Sequence, residues 1–463
     1  MNVKSHPYLK NFALLSCSSL LLRIYGSVYR LYLLRRFGAE PFGLMGMIFP
    51  FYRLLTLLIT MGLPTALVRL IAIEKAKNNT AWILQVKKKV STAVAIVAGL
   101  LSLLVYFFST PLGSLLYNEP RTGPLLRIFA LALSLNSLCL VYRGYFHGLN
   151  RIAPLAWADI IETMGETVFI LIILFSVGSA SFSVEAGAQI LATGYLLGEV
   201  ACLCALFLYD RCFVRPHLAV GTPGEAVSGR TVFSLLRSSF PLMAQQLILS
   251  LSRIADSILL PKLLTKAGLT SSQIAQELGQ YWEMAIPLIF FPMVLFSPLS
   301  TLILPATARA TVKNNLPAYF RRIRRLLGYA FLYCVVVCLL IAKFGKPLSL
   351  LLFKSTAATR YLPFLLPALP FMVMNNILMP VAEGLGKQNF LLQATLILIF
   401  IKTGITSAFV PLPAFGLSGA AWGVTISQVL LFCLLLKETL FTAVTTTKWF
   451  CLIPSKLFHL YKQ

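Results

Sequence analysis

Charge is scarce in this chain. Asp, Glu, Lys and Arg make up 12% of 463 residues, 58% are hydrophobic, and the mean hydropathy is +0.82. That scarcity excludes a soluble globular domain of this length and implies a polytopic membrane protein. Acid is rarer still, with 15 Asp and Glu against 40 Lys and Arg, a net charge of +25. In a soluble protein this excess would suggest nucleic acid. Here the basic residues gather in loops of the kind that hold a membrane protein's cytoplasmic face, so no nucleic-acid partner is expected. Only four histidines occur, and no metal-ligand spacing joins them to cysteine, so neither a metal nor a cofactor is expected. Cys17, Cys139, Cys202, Cys204, Cys334, Cys338 and Cys433 sit inside apolar runs and read as small buried apolar residues rather than disulfides. The strand alternation of an outer-membrane barrel is lacking. So is a small-residue cleavage site after the first apolar segment, which reads as a retained first helix.

Long apolar runs dominate what is there. Twelve spans of roughly twenty residues or more fall near 12–34, 43–73, 90–110, 124–146, 154–178, 186–209, 232–263, 281–308, 326–345, 358–382, 389–411 and 415–436. The strong basic clusters (Lys75, Lys77 and Lys87 to Lys89; Arg143 and Arg151; Arg211, Arg215 and Arg230; Arg321, Arg322, Arg324 and Arg325) follow even-numbered spans. They share one side with Lys4, Lys10 and the basic tail, which predicts that both termini are cytoplasmic. Two segment pairs repeat at 236 and 232 residues: LPTALVRLIAIEKAKNN from Leu63 with LSTLILPATARATVKNN from Leu299, and AGAQILAT from Ala186 with SGAAWGVT from Ser418. The expected fold is therefore all-α, about twelve transmembrane helices in two pseudo-symmetric six-helix halves around a central cavity. The halves are residues 1–210 and 232–436, joined by a cytoplasmic linker at 211–231 and followed by a cytoplasmic tail at 437–463. A tail rich in aromatic and basic residues suits the membrane surface.

Charges inside the spans are the candidate functional residues. Arg23 and Arg30 lie seven apart in the first span, on nearly one helical face. A central arginine costs roughly 2.5–3.5 kcal/mol to insert, which favours a wet cavity and an anionic group such as phosphate as partner. Arg35 and Arg36, at the span's end, read as interfacial. Arg53 and Arg253 extend the cationic set, or else pair with carboxylates to close the bundle. Glu283, at the start of the eighth span, is placed with the substrate-binding candidates. Asp159, Glu162 and Glu166 share one face of the fifth span; with Asp256 and Lys402 they form a candidate ion-coupling or charge-relay set. Asp256, three residues beyond Arg253, is within one helical turn of it and is better suited to neutralising it than to coupling. Pro287, Pro292, Pro367 and Pro370 are candidate hinges, since each interior proline removes a backbone hydrogen bond.

The stretch RIYGSVYRLYLLRRFGAEPFGL, from Arg23 to Leu44, resembles the opening of the stage V sporulation protein B branch of the MOP exporter superfamily, a group related to lipid II flippases. MAIPLIFFPMVL from Met284 and GYFHG from Gly144, leading to Pro154 and Glu162, resemble the same branch. The sequence departs from it at Glu283, where a small or uncharged residue is usual, and at Glu166, where a basic one is. The resemblance implies a flippase rather than an enzyme. Such a protein moves a polyprenyl-(pyro)phosphate-linked oligosaccharide or cell-wall precursor across the bacterial plasma membrane by alternating access, as a monomer among membrane lipids. Membrane potential, Na+ or H+ would drive it. A multidrug/cation antiporter of the MATE type, a polytopic lipid-linked transferase, and a non-transporting scaffold for cell-wall or spore-cortex assembly remain alternatives.

Overall fold

The computed structural model describes residues 24–76, 79–177, 182–214, 216, 229–312 and 316–452. Among these residues the chain is helical and contains no strand, and each of the twelve expected spans carries helix. Eight of the described helices are long and apolar enough to cross a membrane.

Packing groups the chain into two units. The first runs to Lys262 and takes in Ser271–Gly279; the second comprises Leu263–Thr270 and everything from Gln280 onward. In the first unit, α1 covers residues 24–37 and is followed by α2 (Ala39–Thr60), α3 (Leu63–Ala76), α4 (Thr80–Phe107) and α5 (Ser109–Tyr117). Then come α6 (Thr122–Gly148), α7 (Ala153–Val177), α8 (Val184–Tyr209), most of α9 (Gly229–Lys266) and α10 (Ser271–Gln280). Helix α6 is the hub, packing against α2, α3, α4, α5 and α8, while α7 packs on α8.

The breaks follow from local chemistry. Gly38 separates α1 from α2 at φ 82° and ψ −178°, a conformation open essentially to glycine alone. The expected span 43–73 is two helices rather than one. Met61 and Gly62 adopt positive φ (45° and 71°), and Pro64 follows in the first turn of α3, where its missing N–H costs nothing. Asn79 and Ser183 cap α4 and α8, their side chains accepting from the amides of Trp82 and Ala186.

In the second unit, the eighth span does not wind as one helix. A π-helical turn (Tyr281–Ala285), α11 (Ile286–Phe290), a 3-10 stretch (Phe291–Phe296) and α12 (Ser297–Val312) succeed one another. Pro287 and Pro292 lie in this altered winding, as mid-helix prolines lead one to expect. Helix α13 (Leu316–Phe353) follows, then α14 (Leu362–Leu365), α15 (Ala368–Gly384), α16 (Gln388–Phe409) and α17 (Leu417–Leu452), which runs past the span end expected at 436. Pro367 stands at the α14–α15 break and Pro370 in the first turn of α15. Pro370 cannot donate to the Leu366 carbonyl, which accepts instead from the Leu369 amide at 3.1 Å and from the Cys338 thiol at 3.5 Å. The Phe364 carbonyl accepts from Thr425 at 2.6 Å. Carbonyls at the break thus find a neighbouring amide or a side-chain donor, as burial away from water requires.

The duplication is visible in atomic detail. A Cβ added at Gly148 would come within 2.7 Å of Ile71 Cβ, and one at Gly384 within 2.6 Å of Thr307 Cβ. Both members of the second pair lie 236 residues after their counterparts. The helix ends match too. Asn150 and Gly386 adopt positive φ, and the amides of Arg151 and Lys387 each reach back five residues, to Phe146 and Ala382, at 3.0 Å. This is one Schellman-type cap, built twice.

Candidate functional site

The polar chemistry of the first unit centres on α6, α7 and α8. Arg143, near the end of α6, extends its guanidinium to α7, where it ion-pairs with Asp159 and with Glu162 at 2.7 Å. The nitrogen that meets Glu162 also reaches Cys202 Sγ on α8 at 3.4 Å. Asp159 and Glu162 thus do share a face, but a fixed cation occupies it. Sequence position alone made Arg143 a loop-flanking residue; its three partners place it inside the bundle.

One turn further along α7, Glu166 lies within electrostatic reach of Arg30 on α1. The close approach of α8 holds it there: a Cβ at Gly198 would sit 2.9 Å from the Glu162 carbonyl oxygen and 3.4 Å from Glu166 Cβ. Glu199, the next residue of α8, is 1% exposed and hydrogen-bonds Asn136 of α6. Neither Glu199 nor Asn136 was among the sequence candidates. An acid within the apolar run 186–209 was the available signal. Around them Tyr52, Phe49, Phe129 and Tyr195 form an aromatic cluster with ring centroids 5.2–5.9 Å apart. The Tyr195 hydroxyl donates to that of Tyr52 at 3.4 Å.

The remaining candidates lie on other elements. Arg30 is exposed. Arg53 is exposed as well, its guanidinium carbon 5.1 Å from the Phe49 ring centroid, a cation–π geometry. Arg253 is exposed and Asp256 half-buried, one turn apart on α9. Arg23 lies outside the described residues. In the second unit Glu283 is buried in the π-helical turn and Lys402 half-buried on α16. Lys87, assigned to a loop, is buried instead. Lys87 on α4 pairs with Asp210 at the end of α8, its Nζ 4.6 and 4.9 Å from the ring centroids of Tyr142 and Tyr145. A lysine this deep keeps its charge only with a carboxylate and aromatic faces around it.

The FGAEPFG corner, Phe37 to Gly43, is packed for close approach. A Cβ at Gly43 would overlap the Ala275 carbonyl oxygen, and one at Gly279 the Ala39 carbonyl oxygen, so α2 and α10 meet backbone to backbone. Glu40, in the first turn of α2, accepts from Arg121 at 2.9 Å, and Arg121 also binds Glu119 at 2.8 Å. Hydrogen bonds to Glu119 and then to Glu40 raise the Arg121 pKa above its ordinary value.

This architecture is shared with known proteins. The polysaccharide biosynthesis protein family matches residues 8–311. The chain belongs to that family. It is similar to stage V sporulation protein B of Bacillus subtilis (strain 168), with 26% identity over 458 residues, 95% of this chain and 84% of that protein. Among solved structures it resembles the lipid II flippase MurJ in an inward closed conformation, with a TM-score of 0.69 and 14% identity over 92% of this chain and 87% of that one. It also resembles a multidrug resistance MATE family transporter of the MOP superfamily in an inward-facing conformation, with a TM-score of 0.68 and 16% identity over 92% and 96%. This family member is therefore a multi-span membrane protein with the MOP fold.

Proposed function

We propose that this protein is a flippase for a polyprenyl-(pyro)phosphate-linked oligosaccharide or cell-wall precursor of the bacterial plasma membrane, with both termini cytoplasmic. The carrying observation is that Arg30 and Arg53 present exposed guanidiniums from helices α1 and α2. A phosphate diester or pyrophosphate matches that chemistry, because guanidinium offers forked donors and keeps its charge at every physiological pH. Arg23, one heptad before Arg30, and Arg253 complete the proposed anion-binding set, and Glu283 contributes a contact to the sugar. The polyprenyl tail stays in lipid while the head group crosses.

Ion coupling belongs to the acidic residues. Asp159, Glu162, Glu166 and Glu199 outnumber the one arginine fixed among them, Arg143. A proton or Na+ taken up near Glu166 would loosen its hold on Arg30 and so alter the affinity for the anionic head group. Asp256 and Lys402 are the secondary candidates for charge relay, and the altered winding at Pro287, Pro292, Pro367 and Pro370 supplies flexible points in the second unit. Membrane potential adds roughly 2.3 kcal/mol per charge per 100 mV to any step that moves net charge.

Reconstitution into vesicles with several undecaprenyl-pyrophosphate sugars tests this reading. Head groups should become accessible on the opposite leaflet, and Arg30→Ala should abolish that transfer while expression and melting temperature hold. The same carboxylates would also suit a cationic drug in a MATE-type antiporter. Export of a cationic dye, with no glycolipid transferred, would establish that second reading instead.

A further inference from the structure

A groove of about 640 Å³ opens on the first unit between α4, α6 and α8. Ser91 and Ala95 of α4, Leu138 and Tyr142 of α6, and Leu203 and Phe207 of α8 line it. Its wall is chiefly apolar, and Ile96 and Phe207 stand exposed at its edges. A volume of this size suits a single ligand.

One end of the groove is charged. Lys88 precedes Thr92 by one helical turn and Arg211 follows Phe207 by one turn; both are exposed. Helices α6 and α8 run antiparallel to α4, so the lining residues 91–96, 138–142 and 203–207 all approach this same end. Asp210, the residue before Arg211, is 3% exposed and already paired with Lys87. This end is therefore cationic, and the apolar wall continues from it along α4, α6 and α8. Ser91 lies about 4.5 Å along the helix from Lys88, and its hydroxyl oxygen is buried without a hydrogen-bond partner. A change of χ1 rotamer would present that hydroxyl to an acceptor in the groove.

We propose that this groove holds an acyl chain of an anionic glycerophospholipid, with its phosphate between Lys88 and Arg211 and an ester carbonyl accepting from Ser91. The ester commits the occupant: a glycerolipid carries one just below the phosphate, whereas a polyprenyl phosphate carries none. Two basic side chains at the bilayer surface favour an anionic head group by about tenfold or more.

Native mass spectrometry of the full chain, incubated with phosphatidylglycerol or phosphatidylcholine, reads the preference directly. Phosphatidylglycerol should be retained about tenfold more, and K88Q/R211Q should bring the two lipids to parity. Ala95→Trp, which fills the groove, should release both. Phosphatidylglycerol with a diazirine in its acyl chain should label wild-type peptides containing Ser91–Ile96 and Leu203–Phe207, a readout independent of how the variants fold. Equal retention of the two lipids by the wild type, labels confined elsewhere, or displacement by undecaprenyl phosphate at equal concentration would overturn the proposal.

Discussion

Arg143 shows what a single side chain decides in this protein. It is one cation serving two carboxylates, Asp159 and Glu162, each partly exposed. Removing it leaves two like charges about one turn apart at membrane depth. Arg143→Gln should therefore lower stability by about 1–3 kcal/mol, less than for a sealed pair because solvent screens these groups. The melting temperature in detergent measures this, and Asp159→Asn/Glu162→Gln in the same chain should recover part of the loss. Glu199 makes the complementary case. Glu199→Gln keeps a partner for Asn136, whereas Glu199→Leu strands a buried amide at about 1–3 kcal/mol. The Gln variant should fold like wild type and lose the dependence of transport on an ion gradient. Unchanged ion dependence in Glu199→Gln would remove this residue from the coupling set. Arg30 and Glu166 were legible in the sequence because a charge in an apolar run is conspicuous. Arg143 was not, because a basic residue near a helix end reads the same whether it faces solvent or turns inward.

At the scale of elements, glycine placement explains which helices can touch. Gly148 on α6 and Gly384 on α15 occupy the same place in the two repeats, each against a β-branched residue 77 positions earlier in the sequence. Gly148→Val and Gly384→Val should each cost about 1–3 kcal/mol through overpacking, and circular dichroism melts should show comparable losses. Gly386→Ala should also destabilise, since its φ of 76° is strained for any residue with a Cβ. Gly26 makes a useful control, because nothing lies within 4 Å of a Cβ added there. Hydropathy had drawn 43–73 as one span; the positive φ at Met61 and Gly62 divides it. Apolar content is continuous across such a break, so only backbone geometry reveals it. The prolines at 287, 292, 367 and 370 did signal interruption, and the structure adds how Cys338 and Thr425 satisfy the backbone at the α14–α15 break.

At the scale of the whole molecule, topology is open to direct measurement. Cysteines introduced singly at Lys10 and Arg322, in a chain cleared of reactive native thiols, should both resist an impermeant thiol reagent added outside intact cells. Labelling of either from outside would contradict cytoplasmic termini. The sequence by itself determined the membrane class, the all-helical fold, the duplication and the family, because apolar run length, loop charge and repeated segments are properties of the chain read locally. Only the tertiary structure decided which charges meet. Lys87 and Asp210 lie 123 positions apart, Glu40 and Arg121 lie 81 apart, and Asn136 and Glu199 lie 63 apart. Helical periodicity places a residue on a face but does not say which other helix that face will find. Electrostatics in a low-dielectric interior depends on that encounter, and so Arg30 of the conspicuous first span meets Glu166 only in the fold.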